Sequence, residues 1–305
     1  MRLLRRPDID KLVGVRDTAG LAHALGDHEL AVRIAAAKAL DKLADPDSTD
    51  ALLGALSDED SRVRMHASSG LSLIAVHDAT RLADPATVER LVAALEDPAW
   101  DVRAAVARTL GEIRDQRAFD PLVSHLDDPE SYVRLAAVRA LGELGDARAA
   151  QPVLTLFHRE LDHATKATGY QWINTFAGAF DQLDQAALPT EARMIAAIWC
   201  ERWDEVVGFG SAAVEQLHLM LSQAPYRSGC GMDHRNFFIT NGERVRAAGD
   251  RRLVDADSVV RTLGRIGDPR SLTPLNDFRE NRLFPCDEAA LSQAIANCLD
   301  AGDRG

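Results

Sequence analysis

The residue types best suited to chemistry are concentrated in one short segment, Tyr226 to Phe238. Cys230 and His234 stand four residues apart in it, beside Asp233 and between glycines. A cysteine and a histidine can act as nucleophile and general base, and both are also zinc ligands. Because this spacing alone is a weak motif and no second close pair exists in the sequence, we expect neither catalysis nor a metal or cofactor here.

The same segment has the composition of a binding element. Its end overlaps Asn236 to Arg246, a stretch with Asn241-Gly242 at its centre. Asn-Gly is the pair that two-residue hairpin turns prefer, so the stretch predicts a β-hairpin. We expect this hairpin to close over a groove or to contact a partner. The candidate binding residues of the segment are Tyr226, Arg227, Cys230, His234, Arg235, Phe237 and Phe238.

A second set of basic and aromatic residues recurs at regular intervals elsewhere. Cations interleaved with aromatic rings can hold an anionic planar ligand, a nucleic acid or an acidic peptide. The alternative is that Arg108 and Arg139 pair with Glu112 and Glu143, one turn later on their own helices. The candidate residues of this set are Lys38, Arg62, His66, Trp100, Arg108, Tyr132, Arg139 and Arg261.

Four further arginines occupy one fixed position, each six or seven residues after an aspartate. They are Arg33, Arg64, Arg103 and Arg134, preceded by Asp27, Asp58, Asp97 and Asp127. A ladder of phosphate-binding groups is one interpretation. Since a paired arginine at a constant position is typical of scaffolding, we expect these residues to join the turns of adjacent units.

These positions belong to a repeat. A leucine is followed seven residues later by Val-Arg and fifteen residues later by a second leucine, in copies that begin at Leu25, Leu56, Leu95 and Leu126. A period of about thirty residues indicates a solenoid of stacked units. We expect two helices in each unit, with Ala-rich second helices that end at glycines. Those glycines are Gly111, Gly142 and Gly145.

Residues 126–149 carry this pattern most fully, from Leu126 through Val133-Arg134 and Leu141-Gly142 to Ala149. They resemble the short HEAT-like repeat of phycobilin lyases. The resemblance implies an all-α, right-handed solenoid of HEAT-like helix pairs, with second helices lining a concave face. It implies no single function, because such repeats occur in scaffolds, lyases, hydroxylases and DNA glycosylases.

The repeat also divides the chain, which we expect to be one solenoid over residues 1–305 with one inserted β-hairpin loop. The repeat is regular in one part of the sequence, less regular in the next, interrupted by an insertion after that, and regular again near the end. These changes divide the chain into parts. The expected parts are an N-terminal cap (1–16), regular repeats (17–157), degenerate repeats (158–223), an inserted loop (224–252), and a repeat with a C-terminal cap (253–305).

Composition narrows the function classes. The net charge of -12 disfavours nucleic acid as a partner. No apolar run is long enough for a membrane span, and the first residues lack the apolar core of a signal peptide. The 4 cysteines have no paired spacing, which is typical of reduced thiols in the cytoplasm.

The sequence therefore favours a cytoplasmic, non-catalytic scaffold or adaptor that binds another protein through its concave face and hairpin. One alternative is a lyase-type or chromophore-handling protein with residues 226–238 at its site. Another is nucleic-acid binding of the HEAT-like DNA glycosylase kind. The sequence does not identify the partner.

Overall fold

The computed structural model describes residues 7–163, 171–223, 256–281 and 287–302, with three short strands between residues 232 and 246. The chain forms two compact units, Met1–Pro189 and Thr190–Gly305. The prediction of one solenoid over the whole chain stays a prediction, as does its right-handed sense.

The first unit is built from pairs of helices, and in the pairs that end with α3, α5, α7 and α9 the second helix is longer than the first. Pro46–Ser48, Gln116–Ala118 and Ala147–Ala149 form short 3-10 turns that lead into later first helices. The helices are α1 (Ile9–Gly14), α2 (Thr18–Ala24), α3 (Leu30–Leu43), α4 (Thr49–Ala55), α5 (Ser61–Asp78), α6 (Pro85–Ala94), α7 (Trp100–Ile113), α8 (Phe119–Ser124), α9 (Ser131–Leu144), α10 (Ala150–His163) and α11 (Gln171–Gln182).

The second helices form one layer, because α3, α5, α7, α9 and α11 each pack against the next. Fully buried alanines at the contacts, such as Ala37 and Ala107, keep the helices close together. A Cβ atom on Gly111 would lie 2.7 Å from Cα of Ala140. This glycine therefore permits close helix packing rather than ending a helix.

The expectation that glycines end the second helices is wrong for Gly111 and Gly142, which lie inside α7 and α9. It is right for Gly145, which follows α9 with a φ of 73°. Glycine suits this left-handed position because it has no Cβ atom. Arg114 takes the corresponding place after α7 with a φ of 58°.

The second unit contains its own helical core. Its helices are α12 (Thr190–Trp199), α13 (Trp203–Gly208), α14 (Val214–Gln223), α15 (Ala256–Ile266), α16 (Leu272–Asn281) and α17 (Glu288–Gly302). α17 packs on α15, where a Cβ atom on Gly264 would lie 2.7 Å from Cα of Ala294. α17 buries Leu291 and Cys298 and exposes Gln293. Leu299 on the same helix is 51% exposed, and the role of α17 as a terminal cap stays a prediction.

Three short antiparallel strands lie between α14 and α15: β1 (Met232–Asp233), β2 (Phe237–Thr240) and β3 (Glu243–Arg246). In the pairing of β2 with β3, Thr240 faces Glu243. Asn241-Gly242, the predicted turn, lies outside the described residues, so the hairpin stays a prediction. Apart from these strands the described fold is an all-helical repeat solenoid.

No helix among the described residues combines the length and the hydropathy that a membrane crossing requires.

Candidate functional site

The four arginines at the fixed repeat position join adjacent units. Arg103 donates from Nε and Nη2 to the two carboxylate oxygens of Asp128, each at 2.8 Å. Its Nη1 donates to the carbonyl oxygens of Asp97 at 2.8 Å and Pro98 at 3.2 Å, in the turn of its own unit. Arg103 thus holds its own turn and the turn of the next unit, and Arg33 and Arg64 do the same. The other pairs are Arg33 with Asp58, Arg64 with Asp97, and Arg134 with Glu160.

This arginine ladder confirms the scaffolding interpretation, with one correction of register. Asp127 was predicted as the fourth ladder carboxylate, but Asp128 holds Arg103, and Asp127 pairs with Arg159 instead. Asp128 also accepts the amide of Glu130 at 2.8 Å, so one carboxylate caps its turn and binds the ladder. The fourth ladder arginine reaches Glu160 on α10 rather than an aspartate.

The hydrogen bonds of the ladder favour the ionised forms of its side chains. Burial opposes ionisation of Asp128, whose side chain is 5% exposed, yet the hydrogen bonds from Arg103 and from a backbone amide outweigh it and lower the pKa. The hydrogen bond from Arg103 to Asp128 likewise raises the pKa of the guanidinium above its ordinary value, against the opposing effect of burial. These groups are committed to each other and are not available to a ligand.

Five of the remaining candidates, all in the first unit, are exposed on the second helices: Lys38, Trp100, Arg108, Tyr132 and Arg139. Positions four or seven residues apart lie on one face of a helix, and the same positions recur from unit to unit. We call this surface the second-helix face. It has a basic row, an apolar row and an aromatic pair. The basic row is Lys38, Arg108 and Arg139, with Ser69 at the corresponding position of α5. The apolar row is Ile34, Met65, Ala104 and Leu135. The aromatic pair is Trp100 and Tyr132.

The aromatic pair brings together two predicted residues from adjacent units. The rings of Trp100 and Tyr132 are stacked, with centroids 5.4 Å apart and planes inclined by 29°. Trp100 is 44% exposed and Tyr132 is 67% exposed. The rings begin α7 and α9, about 12 Å along α7 from Arg108 given a rise of about 1.5 Å per residue. They therefore form a separate row rather than alternating with the arginines.

The basic row is only partly paired. Arg139 donates to Glu143 at 2.7 Å and lies 3.6 Å from Glu112 on the neighbouring helix. The predicted pairing of Arg139 with Glu143 is therefore right. The predicted pairing of Arg108 with Glu112 is wrong, because Glu112 is turned toward Arg139. Among the described residues, Lys38 and Arg108 are exposed and have no ion pair.

The pKa values of the groups around Arg139 are shifted because several charged side chains lie close together. Partial burial and the positive charge of Arg139 lower the pKa of Arg108. The pKa of Glu143 is raised, because burial and the nearby Glu112 outweigh the hydrogen bond from Arg139. The Glu143 side chain is 8% exposed, and its Oε2 is buried with no hydrogen-bond partner.

Two other candidates are occupied by partners within the first unit. Arg62 binds Asp60 in its own turn, with Nη2 to Oδ2 at 2.9 Å, and the pKa of Asp60 is lowered to about 2 chiefly by that contact. His66 contacts Asp41 on α3 through Nδ1 at 2.9 Å. The contact of His66 joins α5 to α3, whereas the contact of Arg62 stays within one turn.

Arg261 belongs to the second unit, where it donates to Asp287 at 2.6 Å. Five candidates of the inserted loop lie outside the described residues: Tyr226, Arg227, Cys230, His234 and Arg235. Phe237 and Phe238 are described only as backbone of β2. Their roles stay predictions. Within the described residues, no group of three or more His, Cys, Asp or Glu side chains is placed to hold a metal ion.

The apolar row was not predicted as a set. Ile34, Met65 and Leu135 are half-buried and Ala104 is buried, so they form a low apolar strip beside the basic row. Four residues separate Ile34 from Lys38, and the same interval recurs in each unit. That interval was the signal that could have revealed the strip.

The fold agrees with the sequence comparisons. The family model of HEAT repeats matches residues 18–87 and 88–171, about half of the chain. The chain belongs to this HEAT-repeat family. No curated protein is significantly similar to it.

Three solved structures illustrate the likeness of fold. The complex of CpcE and CpcF of phycocyanin lyase from Nostoc sp. PCC7120 is 19% identical, with a TM-score of 0.42 over 83% of this chain and 87% of that chain. A designed armadillo repeat protein in complex with the peptide (KR)4 is 19% identical, with a TM-score of 0.45 over 58% and 85%. An engineered protein is 21% identical, with a TM-score of 0.48 over 68% and 91%.

Proposed function

We propose that this protein is a non-catalytic binding or adaptor protein that holds another protein on the second-helix face. The observation that carries the proposal is the exposed, stacked pair of Trp100 and Tyr132 on the same face as the unpaired Lys38 and Arg108. Tryptophan, tyrosine and arginine are the residue types that contribute most to binding energy at protein interfaces.

The two rings can bury a large surface against a partner while losing little side-chain entropy. An aromatic side chain buries on the order of 150–250 Å² when it is covered, and each ring of this pair still has a large part of its surface in water. Because the rings already support each other, less side-chain entropy is lost when a partner covers them. The half-buried apolar row extends the surface that a partner would cover.

A capture experiment tests this proposal. The wild-type chain and a Trp100→Ser/Tyr132→Ser variant are immobilised, and proteins retained from a lysate of the source cells are compared by mass spectrometry. Arg90→Glu is the matched control, since Arg90 is an exposed, unpaired arginine on the first helix α6. We expect the aromatic variant to lose partners that the control retains. Identical sets of retained proteins would refute the proposal.

We also propose that the inserted segment 224–252 contributes to the same interaction in the cytoplasm, with no bound cofactor. The support is its length, which interrupts the repeat, together with its excess of arginines over acids. Replacing residues 228–250 with a glycine-serine linker tests this role. Unchanged retention by the linker variant would remove the segment from the interaction.

A further inference from the structure

The second-helix face has an order of rows that points to a ligand chemistry. Along α7, Trp100, Ala104 and Arg108 follow each other at intervals of four residues, which is about 6 Å at a rise of about 1.5 Å per residue. Along α9 the same order is Tyr132, Leu135 and Arg139. The apolar row therefore runs between aromatic rings on one side and cations on the other.

The rows cross the helices. Neighbouring packed helices are roughly 8–10 Å apart, so a path from α3 to α9 spans roughly 24–30 Å. An extended chain advances about 3.3 Å per residue and points successive side chains to opposite sides. A segment of about eight or nine residues would cover the path, and its main chain would follow the apolar row, where the small Ala104 leaves room.

The charge of the basic row favours particular side chains in the extended segment that binds there. The whole protein has a net charge of -12, yet Lys38 and Arg108 of the basic row are exposed and form no ion pair within the described part of the chain. The nearby acids are engaged in other contacts: Glu112 and Glu143 with Arg139, and Asp41 with His66. An unpaired cation on an acidic protein favours a negatively charged partner group at that place.

We propose that the second-helix face binds an extended acidic segment of a partner protein, with carboxylates on alternate residues toward the basic row and apolar side chains toward the aromatic pair. This inference rests on the proposed function and adds the chemistry of the partner. Alternation follows from the geometry, because the cations and the rings lie on opposite sides of the apolar row.

A synthetic peptide tests the inference directly. The probe is a fluorescein-labelled peptide of about twelve residues that alternates glutamate with leucine, long enough to cross the four helices. One comparison peptide has glutamine in place of glutamate, and another has the same composition in two blocks. In fluorescence anisotropy we expect the glutamine peptide to bind about tenfold more weakly, equal to about 1.4 kcal/mol, and the block peptide to bind more weakly than the alternating one.

The protein variants locate the site. We expect Arg108→Glu and Lys38→Glu each to weaken binding of the alternating peptide about tenfold. Arg90→Glu on α6 should leave the affinity unchanged. Binding should also weaken between about 50 mM and about 300 mM salt, because exposed charge pairs are screened. Equal affinity of the glutamate and glutamine peptides, or equal affinity of wild type and Arg108→Glu, would overturn the inference.

Two further outcomes separate this inference from the proposed function. If no alternating peptide binds up to about 1 mM while the capture experiment still depends on the aromatic pair, the function stands and the acidic segment is wrong. If a labelled single strand of about twenty thymidines binds at low salt and the peptide does not, the face binds nucleic acid and both proposals fall.

Discussion

Arg103 and Arg108 stand five residues apart on α7 and illustrate two uses of the same side chain. Arg103 is half-buried in the ladder, where Asp128 and two carbonyl oxygens satisfy its guanidinium. Arg108 is exposed on the second-helix face and pairs with no carboxylate among the residues that the structure describes. The first arginine repeats in every regular unit and joins the units. The second varies between units, as a surface adapted to a partner would.

The comparison predicts that ladder and face respond differently to substitution. The largest effect should come from Arg103→Ala, which leaves Asp128 as an uncompensated carboxylate in a buried position. Breaking such a pair costs about 3 kcal/mol, and urea unfolding measures the loss. Arg62→Ala is the control, because Arg62 pairs with Asp60 in an exposed turn. A loss no larger than that of the control would show that the ladder does not stabilise the fold.

An intermediate effect is expected where the second helices touch. Gly111→Ala would place a Cβ atom 2.7 Å from Cα of Ala140, so α7 and α9 would have to separate. Overpacking of this kind costs about 2 kcal/mol. Gly178→Ala on α11 is the matched control, since a Cβ atom there meets nothing within 4 Å. The unfolding free energy should fall for the first variant and stay level or rise for the second. Equal responses would contradict the close-packing role of Gly111.

The smallest effect concerns the pH dependence of Glu143, where helix packing meets the face. Burial raises its pKa above the ordinary value of 4.5, so the folded state holds a proton more tightly than the unfolded state. The stability that the protonated form contributes is lost as pH rises through the folded-state pKa. Glu143→Gln removes this loss and should stabilise the protein at neutral pH.

The test is thermal unfolding of wild type and Glu143→Gln across a pH series. The advantage of the variant should shrink as pH falls toward 4.5. Glu112→Gln is the comparison, because Glu112 also lies near Arg139 but is less buried. An advantage that grows on acidification would show that the shift of the Glu143 pKa has the opposite sign.

The repeat made the fold and the ladder predictable. The fixed interval predicted the helix pairs and the regular arginines. It also identified the segment that interrupts the repeat. The interval itself selects Asp128, which lies six residues before Arg134 just as Asp27, Asp58 and Asp97 lie six residues before their arginines. The prediction of Asp127 departed from that spacing by one residue. The repeat pattern also assigned Gly111 to a helix end, because a Leu-Gly pair does not reveal how closely the next helix approaches.

The candidate site was less predictable for a related reason. Whether Glu112 pairs with Arg108 on its own helix or with Arg139 on the next depends on the distance between helices. The stacking of Trp100 on Tyr132 likewise joins residues 32 positions apart in the sequence. Both contacts arise only when units are stacked, and the pattern within one unit does not contain them.

We infer that binding of a partner depends on the cations of the second-helix face, and that the stability of the fold depends on the ladder. The most direct measurement is the affinity of Arg108→Glu for the alternating glutamate-leucine peptide, with urea unfolding of the same sample. We predict binding weaker by about tenfold and an unfolding free energy unchanged within about 0.5 kcal/mol. Affinity equal to that of wild type, or a loss of binding explained by unfolding, would contradict the account.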